Sequence, residues 1–312
     1  MSPAPPRLID VTERSLLSAL RGEGVCIDYG ACRVRVRARD PAFVRILRDV
    51  YRHFPFIEHT AFADLHVRLA RGRGLRRWLR PTVRFALDGV EPFEPFPASD
   101  ALPLYEWGVN WCFGQRFNQH VLLHAAVLEY RGRGIVMAAI PGSGKSTLAA
   151  AMMLRGFRLL SDEFGVLAPA SGLFLPMVKP VALKNRAIDV IRGFSAEALI
   201  GPVFAGTRKG AVAHLAPDAA SVAACAQAVR PALVVFPAYR RGAALQLTPQ
   251  SPEQAFARLA FNSFNYALLG PLAFHAVADV AQACPAYELR YGALDEAVAC
   301  LQERLDAQRG LC

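Results

Sequence analysis

The sequence predicts an α/β fold: a core of mixed sheet and helices around a phosphate-binding loop, preceded by a small α+β module. Three observations carry this expectation. The apolar stretch Ile135–Ala139 runs directly into Ile140-Pro-Gly-Ser-Gly-Lys-Ser-Thr147 and then into a short helical pattern. A second apolar stretch, Phe157–Leu160, ends on the acid pair Asp162-Glu163. The texture of the chain also changes near residue 103, where proline-rich sequence gives way to long apolar runs.

The elements follow in order. Cys32-Arg-Val-Arg-Val-Arg37 alternates apolar and polar residues, as a half-buried strand does. Asp40-Pro41 reads as a helix cap followed by the first helical position. Phe43, Ile46, Leu47 and Val50 then recur at helical spacing, and Pro55 closes that element. Leu65–Leu69 and Thr82–Leu87 read as strands. Pro92, Pro95, Pro97 and Pro103 mark residues 89–103 as a linker or extended crossing. Tyr105–Phe117 is apolar enough for a core helix. Val121–Tyr130 and Ile135–Ala139 form a hairpin across the turn Arg131-Gly-Arg-Gly134. Thr147–Arg155 is a helix closed by Gly156. Leu233–Phe236 is a buried strand, Ser251-Pro-Glu-Gln254 a capping-box helix start, and Asp295–Leu305 a final amphipathic helix. The chain accordingly divides into residues 1–103, an N-terminal α+β module, and residues 104–312, the nucleotide-binding domain.

Composition narrows the class. With 312 residues, 53% of them hydrophobic, the chain has ample material for one large or two medium domains. No apolar run approaches the ~20 residues that span a bilayer, and Met1-Ser-Pro-Ala-Pro-Pro lacks the pattern of a secretory signal. A cytoplasmic protein with no membrane partner is expected. The seven cysteines include no CxxC pair, which points to reduced thiols packed as small hydrophobes.

The net charge is +10, but no nucleic-acid-binding motif accompanies it, so no nucleic acid partner is expected. Much of the charge sits in Arg68, Arg71, Arg73, Arg76, Arg77, Arg80 and Arg84, with no acid between Asp64 and Asp88. Two readings stand: a solvated basic loop, or a docking surface for an acidic acceptor. Lysine occurs only at Lys145, Lys179, Lys184 and Lys209, and a compact ammonium at such rare positions suggests phosphate handling.

The loop carries the chemistry. Gly142 and Gly144 allow backbone N–H groups to turn inward as an anion nest at a helix N-terminus. Pro141, Gly142, Ser143, Gly144, Lys145, Ser146 and Thr147 would cradle the phosphates of ATP. Lys145 would reach the β- and γ-phosphates, and the Ser146 hydroxyl would ligate Mg²⁺. A strand returning parallel to the first would bring Asp162-Glu163 to the same sheet edge. One carboxylate would then accept the acceptor's hydroxyl proton, and the other would hold Mg²⁺. His124 is either a core histidine or a neighbour of the reacting phosphate. Lys209-Gly210 reads either as an exposed charge or as a basic loop that closes over the γ-phosphate.

The order His124, hairpin, loop, short helix, Gly156, strand, Asp162-Glu163 resembles the catalytic domain of bacterial HPr serine kinase/phosphorylases. Those enzymes share a fold with phosphoenolpyruvate carboxykinases. Over nearly its whole length the chain looks like the HPr-kinase-related kinase A group. The resemblance rests on Gly74-Leu-Arg-Arg-Trp-Leu-Arg-Pro81, Glu106-Trp-Gly-Val-Asn-Trp-Cys112, Leu183-Lys-Asn-Arg186, Lys209-Gly-Ala-Val-Ala-His-Leu215 and Asn262-Ser-Phe-Asn-Tyr266. It implies Asp162 as catalytic base, His124 at the essential histidine, and Ser146 and Glu163 beside the metal. Ala139 stands where the loop consensus has glycine, Thr147 follows Lys-Ser, and Asp-Glu replaces Asp-Asp. These departures point away from HPr itself as acceptor.

The sequence thus predicts an ATP- and Mg²⁺-dependent kinase. Its acceptor is a serine-like hydroxyl on a peptide, a small carrier protein or a small molecule. The alternative is an ATP-dependent switch or peptide-binding module without phosphotransfer. A homo-oligomer is left open.

Overall fold

A computed structural model describes residues 5–58, 62–72 and 79–307. The N-terminal part contains α1 (Glu13–Arg21), β1 (Val25–Asp28), β2 (Arg33–Ala38), α2 (Pro41–Val50), β3 (Leu65–Arg71), β4 (Thr82–Leu87) and β5 (Phe96–Pro97). Its five strands form one sheet in the order β1-β2-β3-β4-β5, parallel only between β2 and β3. Asp40 caps α2 by accepting from the Ala42 amide, with Pro41 in the first turn. Helix α3 (Ala101–Arg116) then lies against this sheet, near β3 and β4.

That packing changes the view of the chain's division. The boundary at residue 103 falls inside α3. Leu102, Leu104, Tyr105, Val109, Cys112 and Phe113 share one apolar core with the N-terminal sheet, and Phe164, Met177 and Val178 join it from further along. The two parts of the chain therefore meet over a continuous core.

The larger sheet has eight strands. They are β6 (Val121–Tyr130), β7 (Arg133–Ala138), β8 (Arg158–Ser161), β9 (Phe164–Ala168), β10 (Leu173–Leu175), β14 (Pro231–Tyr239), β15 (Gln246–Gln250) and β16 (Ala286–Tyr291). The order is β10-β9-β6-β7-β14-β16-β15, with β8 also paired to β6. Strands β7, β14 and β16 are parallel neighbours. A separate three-stranded sheet places β13 (Gly210–Leu215) between β11 (Val181–Lys184) and β12 (Phe204–Thr207).

Both faces of the central sheet are covered, which explains the near-continuous apolar runs. Strand alternation sends Ala126, Leu128, Ile135, Met137, Leu233 and Val235 into one core, with α4 (Lys145–Leu154), α5 (Arg186–Phe194) and α10 (Leu294–Ala307). Ala125, Val127, Val136, Ala138, Val234 and Phe236 enter the other core. There they meet α7 (Pro252–Phe261) and α9 (Pro271–Ala283). Two short helices, α6 (Ala219–Ala223) and α8 (Tyr266–Leu269), also occur among the described residues. No helix among the described residues is long and apolar enough to cross a membrane.

Part of the arginine run is not a free solvated loop. Arg84 pairs with Glu91 and is largely buried, and Arg71 lies 3.9 Å from Asp40. These two arginines find their acids outside the run's own stretch of chain. Arg73, Arg76 and Arg77 lie outside the described residues.

Candidate phosphate-loop site

Strand direction assembles the site. Strand β6 is antiparallel to both β7 and β8, so β7 and β8 point the same way with β6 between them. The ends of β7, β8, β14 and β16 therefore reach one edge of the sheet, the edge where α/β folds bind ligands. The loop leaves β7 there, and Asp162 leaves β8.

The loop has the backbone its glycines predict. Gly142 has φ +88° and Gly144 φ +91°. A Cβ at Gly144 would lie 2.6 Å from Tyr291 Oη and 2.8 Å from Tyr239 Cβ. Those two tyrosines brace the loop from the neighbouring parallel strands. The Tyr239 amide donates to the Ser143 carbonyl at 2.9 Å, and the Tyr291 hydroxyl donates to the Gly144 carbonyl at 3.2 Å. Burial raises the Tyr291 pKa, so this hydroxyl keeps its proton. Helix α4 begins at Lys145, two residues earlier than expected. No acid occupies its first turn, which leaves the N-terminal partial charge available to an anion.

Lys145 is buried, 7% exposed. Its ammonium donates to the Asp162 carbonyl and lies 3.7 Å from Asp162 Oδ1. Asp162 is 9% exposed, and its Oδ1 accepts no hydrogen bond. A buried carboxylate oxygen with spare accepting capacity is costly unless something else uses it.

The bend at Asp162-Glu163 has a local cause. Val127 faces Ser161 and His124 faces Phe164, so the residues flanking the pair stay alongside β6, while the β8 register shifts between Leu159 and Ser161. The Ser161 hydroxyl accepts from the amides of Glu163 (3.3 Å) and Phe164 (3.0 Å), holding the break open. Glu163 is fixed from behind: Asn110 Nδ2 on α3 donates to its Oε2 at 2.9 Å.

His124 stands on β6 opposite Phe164, with the Phe264 ring centroid 5.5 Å away. Burial lowers its pKa and the Lys145 ammonium adds to the shift, while Glu163 and Asp162 oppose it. The imidazole is therefore neutral at pH 7 and within the electrostatic reach of Lys145 and both acids. Ser146 and Thr147 occupy the first turn of α4.

Lys209 stands apart. It is exposed at the tip of the β12–β13 hairpin and makes no hydrogen bond or ion pair from its side chain among the described residues. Lys184 is exposed and acts on the His124 pKa from the end of β11. Lys179 is buried and bonded to Glu106 and Asn110, behind Glu163 rather than at the loop.

Sequence reasoning missed Glu106 and Asn110 as parts of the site, and it read Lys179 as a phosphate-handling lysine, whereas its ammonium is spent on Glu106 and Asn110. The available signal was Glu106 and Asn110 four residues apart, on one face of an otherwise apolar helix. Tyr239 and Tyr291 carried no local signal.

The donor set suits a magnesium nucleotide. The glycine cradle, the α4 N-terminus and Lys145 match phosphate, and Asp162 Oδ1 is an unused oxygen beside them. No cluster of three or more His, Cys, Asp or Glu side chains able to hold a metal alone occurs among the described residues. Magnesium commonly needs only one or two protein ligands when phosphates supply others. No protein-family model matches this chain, and no curated protein matches it.

Proposed function

We propose that this protein is an ATP-dependent phosphotransferase acting on a hydroxyl acceptor, as the HPr-kinase-related kinase A resemblance implies. The observation that carries this reading is the juxtaposition of Lys145 at the head of α4 with the buried Asp162 carboxylate, whose Oδ1 accepts no hydrogen bond. A carboxylate there is placed to accept a hydroxyl proton beside the phosphate-binding lysine, which supports transfer to an acceptor.

In the reaction, Asp162 takes the proton from the acceptor hydroxyl as its oxygen attacks the γ-phosphorus. The bond from that phosphorus to the β–γ bridging oxygen breaks, and ADP leaves with the electron pair. Lys145 and the loop amides hold the phosphates in line, and their positive charge offsets the negative charge on the transferring group. His124, neutral, offers a hydrogen-bonding imidazole without adding a charge. Ser146 and Glu163 would hold Mg²⁺, with Asp162 beside them, and the ion supplies further charge neutralisation when bound. The acceptor is a peptide, a small carrier protein or a small molecule.

The test is Asp162→Asn with labelled ATP and candidate acceptors. Nucleotide affinity should be retained while transfer falls by ~10²-fold or more, the scale of losing a general base. Transfer near the wild-type rate would remove Asp162 from the chemistry. Slow hydrolysis by the wild type with no phosphorylated acceptor would favour the switch instead.

A further inference from the structure

Glu163 is anchored by a buried polar chain that begins in the N-terminal core. Lys179, 7% exposed, places its ammonium 3.1 Å from Glu106 Oε2, 3.1 Å from the Glu106 carbonyl and 2.6 Å from Asn110 Oδ1. Asn110 then donates from Nδ2 to Glu163 Oε2 at 2.9 Å. An ammonium only donates, so the oxygen of the Asn110 amide must face Lys179. The NH₂ end must therefore face Glu163. The orientation of this amide follows from the chemistry of its neighbour.

Glu106 is in turn fixed from the other side. Tyr51 donates to its Oε1, and Tyr29 Oη lies 3.0 Å from Tyr51 Oη. A carboxylate beside an ammonium accepts only, so Tyr51 spends its proton on Glu106 and must accept from Tyr29. Burial drives the pKa of both tyrosines well above the ordinary value, which keeps both protons in place. The tyrosine protons thus run toward Glu106, while Lys179 donates both back to Glu106 and forward through Asn110 to Glu163.

We infer that Asn110 is a positioning residue for Glu163, its amide locked by Lys179, and that the N-terminal part of the chain builds the rear wall of the phosphate site. The inference rests on the assignment of Glu163 to the Mg²⁺ side of the phosphotransferase reading. It gives Glu106-Trp-Gly-Val-Asn110 and the first hundred residues a task within the site itself. Outer partners that hold a metal-binding carboxylate set how tightly the metal binds, and losing one costs ~10–100-fold in metal affinity.

The experiment measures the binding of a fluorescent ATP analogue across a Mg²⁺ titration, with no acceptor present. Asn110→Ala should raise the half-saturating Mg²⁺ concentration by ~10–100-fold. Affinity for the analogue in EDTA should not change, because Asn110 touches no part of the loop. Asn110→Ser is the second variant: it keeps a small polar side chain but lacks the amide NH₂ that bonds Glu163, and it should shift the Mg²⁺ response in the same way. A purely structural role would lower the unfolding temperature without moving the Mg²⁺ midpoint. A folded Asn110→Ala or Asn110→Ser protein with the wild-type Mg²⁺ midpoint overturns the inference. A wild type that binds the analogue equally in EDTA and Mg²⁺ overturns the Glu163 assignment and the inference together. A wild type that responds to Mg²⁺ but phosphorylates nothing removes the transferase reading alone.

Discussion

Lys145 and Lys179 are buried to the same degree, 7% exposed; Lys145 contacts Asp162 directly, and Lys179 reaches Glu163 only through Asn110. Lys179 is saturated: one carboxylate, one carbonyl and one amide oxygen surround its three protons. Lys145 has one backbone carbonyl and a carboxylate oxygen at 3.7 Å, too far for a hydrogen bond. Two residues of one type, at one depth, thus have opposite bonding economies. The rear wall consumes its ammonium in structure, whereas the loop keeps capacity in reserve. Spare capacity on a buried charge marks where a ligand belongs, and saturation marks scaffold.

The sharpest way to break this contrast is to exchange the expected consequences of the two losses. Lys179→Met strands the Glu106 carboxylate in the core. It should cost ~3–5 kcal/mol of stability, the usual result of removing one partner from a buried pair. Denaturant unfolding reads this directly. Lys145→Met should cost clearly less stability in the same assay. It should instead weaken nucleotide binding by ~10–100-fold, since a charge-assisted hydrogen bond contributes ~1.5–3 kcal/mol. If Lys145→Met is the variant that unfolds, the loop lysine is scaffold and the contrast fails.

The two loop glycines sharpen the comparison on a smaller scale. Gly142→Ala meets no atom within 4 Å and should cost only the ~1–2 kcal/mol of placing an alanine at positive φ. Gly144→Ala should cost more, because its Cβ would press on Tyr291 and Tyr239. Nucleotide titration of the two variants should rank them in that order.

A further test uses pH. His214 is fully buried, and burial lowers its pKa below the ordinary value near 6.5. The unfolded chain therefore binds this proton at a higher pH than the folded protein does. The stabilising contribution is complete above pH ~6.5 and is lost as pH falls toward the folded pKa. His214→Gln should flatten the decline in unfolding free energy over that window, and an unchanged slope would assign the decline to other groups. The smallest effect is expected at Lys209. From its exposed hairpin tip, Lys209→Met should leave ATP affinity unchanged, and a fall in turnover alone would reveal a contact made only during transfer.

How much was legible followed the reach of each interaction. Val121–Tyr130 and Thr82–Leu87 are strands with the expected bounds, and Ser251 and Gln254 cap α7 reciprocally as their spacing predicts. These features depend on neighbours a few residues away. The return of Asp162 to the loop was also readable, because hairpin, loop, helix and strand are consecutive. The rear wall was not: Lys179 meets Glu106 across 73 residues, and Asn110 meets Glu163 across 53. A buried lysine is an unlocal fact, since nothing beside Lys179 in sequence distinguishes it from an exposed one. Helix α9 and strand β16 were overlooked because their apolar runs lack a decisive period.

The tyrosine brace sets an order of events during synthesis. Residues 121–168 contain β6 through β9 with the loop, α4 and the acid pair, so these local contacts can form early. The Tyr291 hydroxyl that supports the Gly144 carbonyl arrives 147 residues after it. At ~5–20 residues per second, the ribosome takes many seconds to cover that interval. Throughout it, the nest at Gly142 and Gly144 lacks one of its walls. On the phosphotransferase reading, a nascent chain thus carries the loop before the wall that steadies it, and firm nucleotide binding should wait until the last parallel strand has docked.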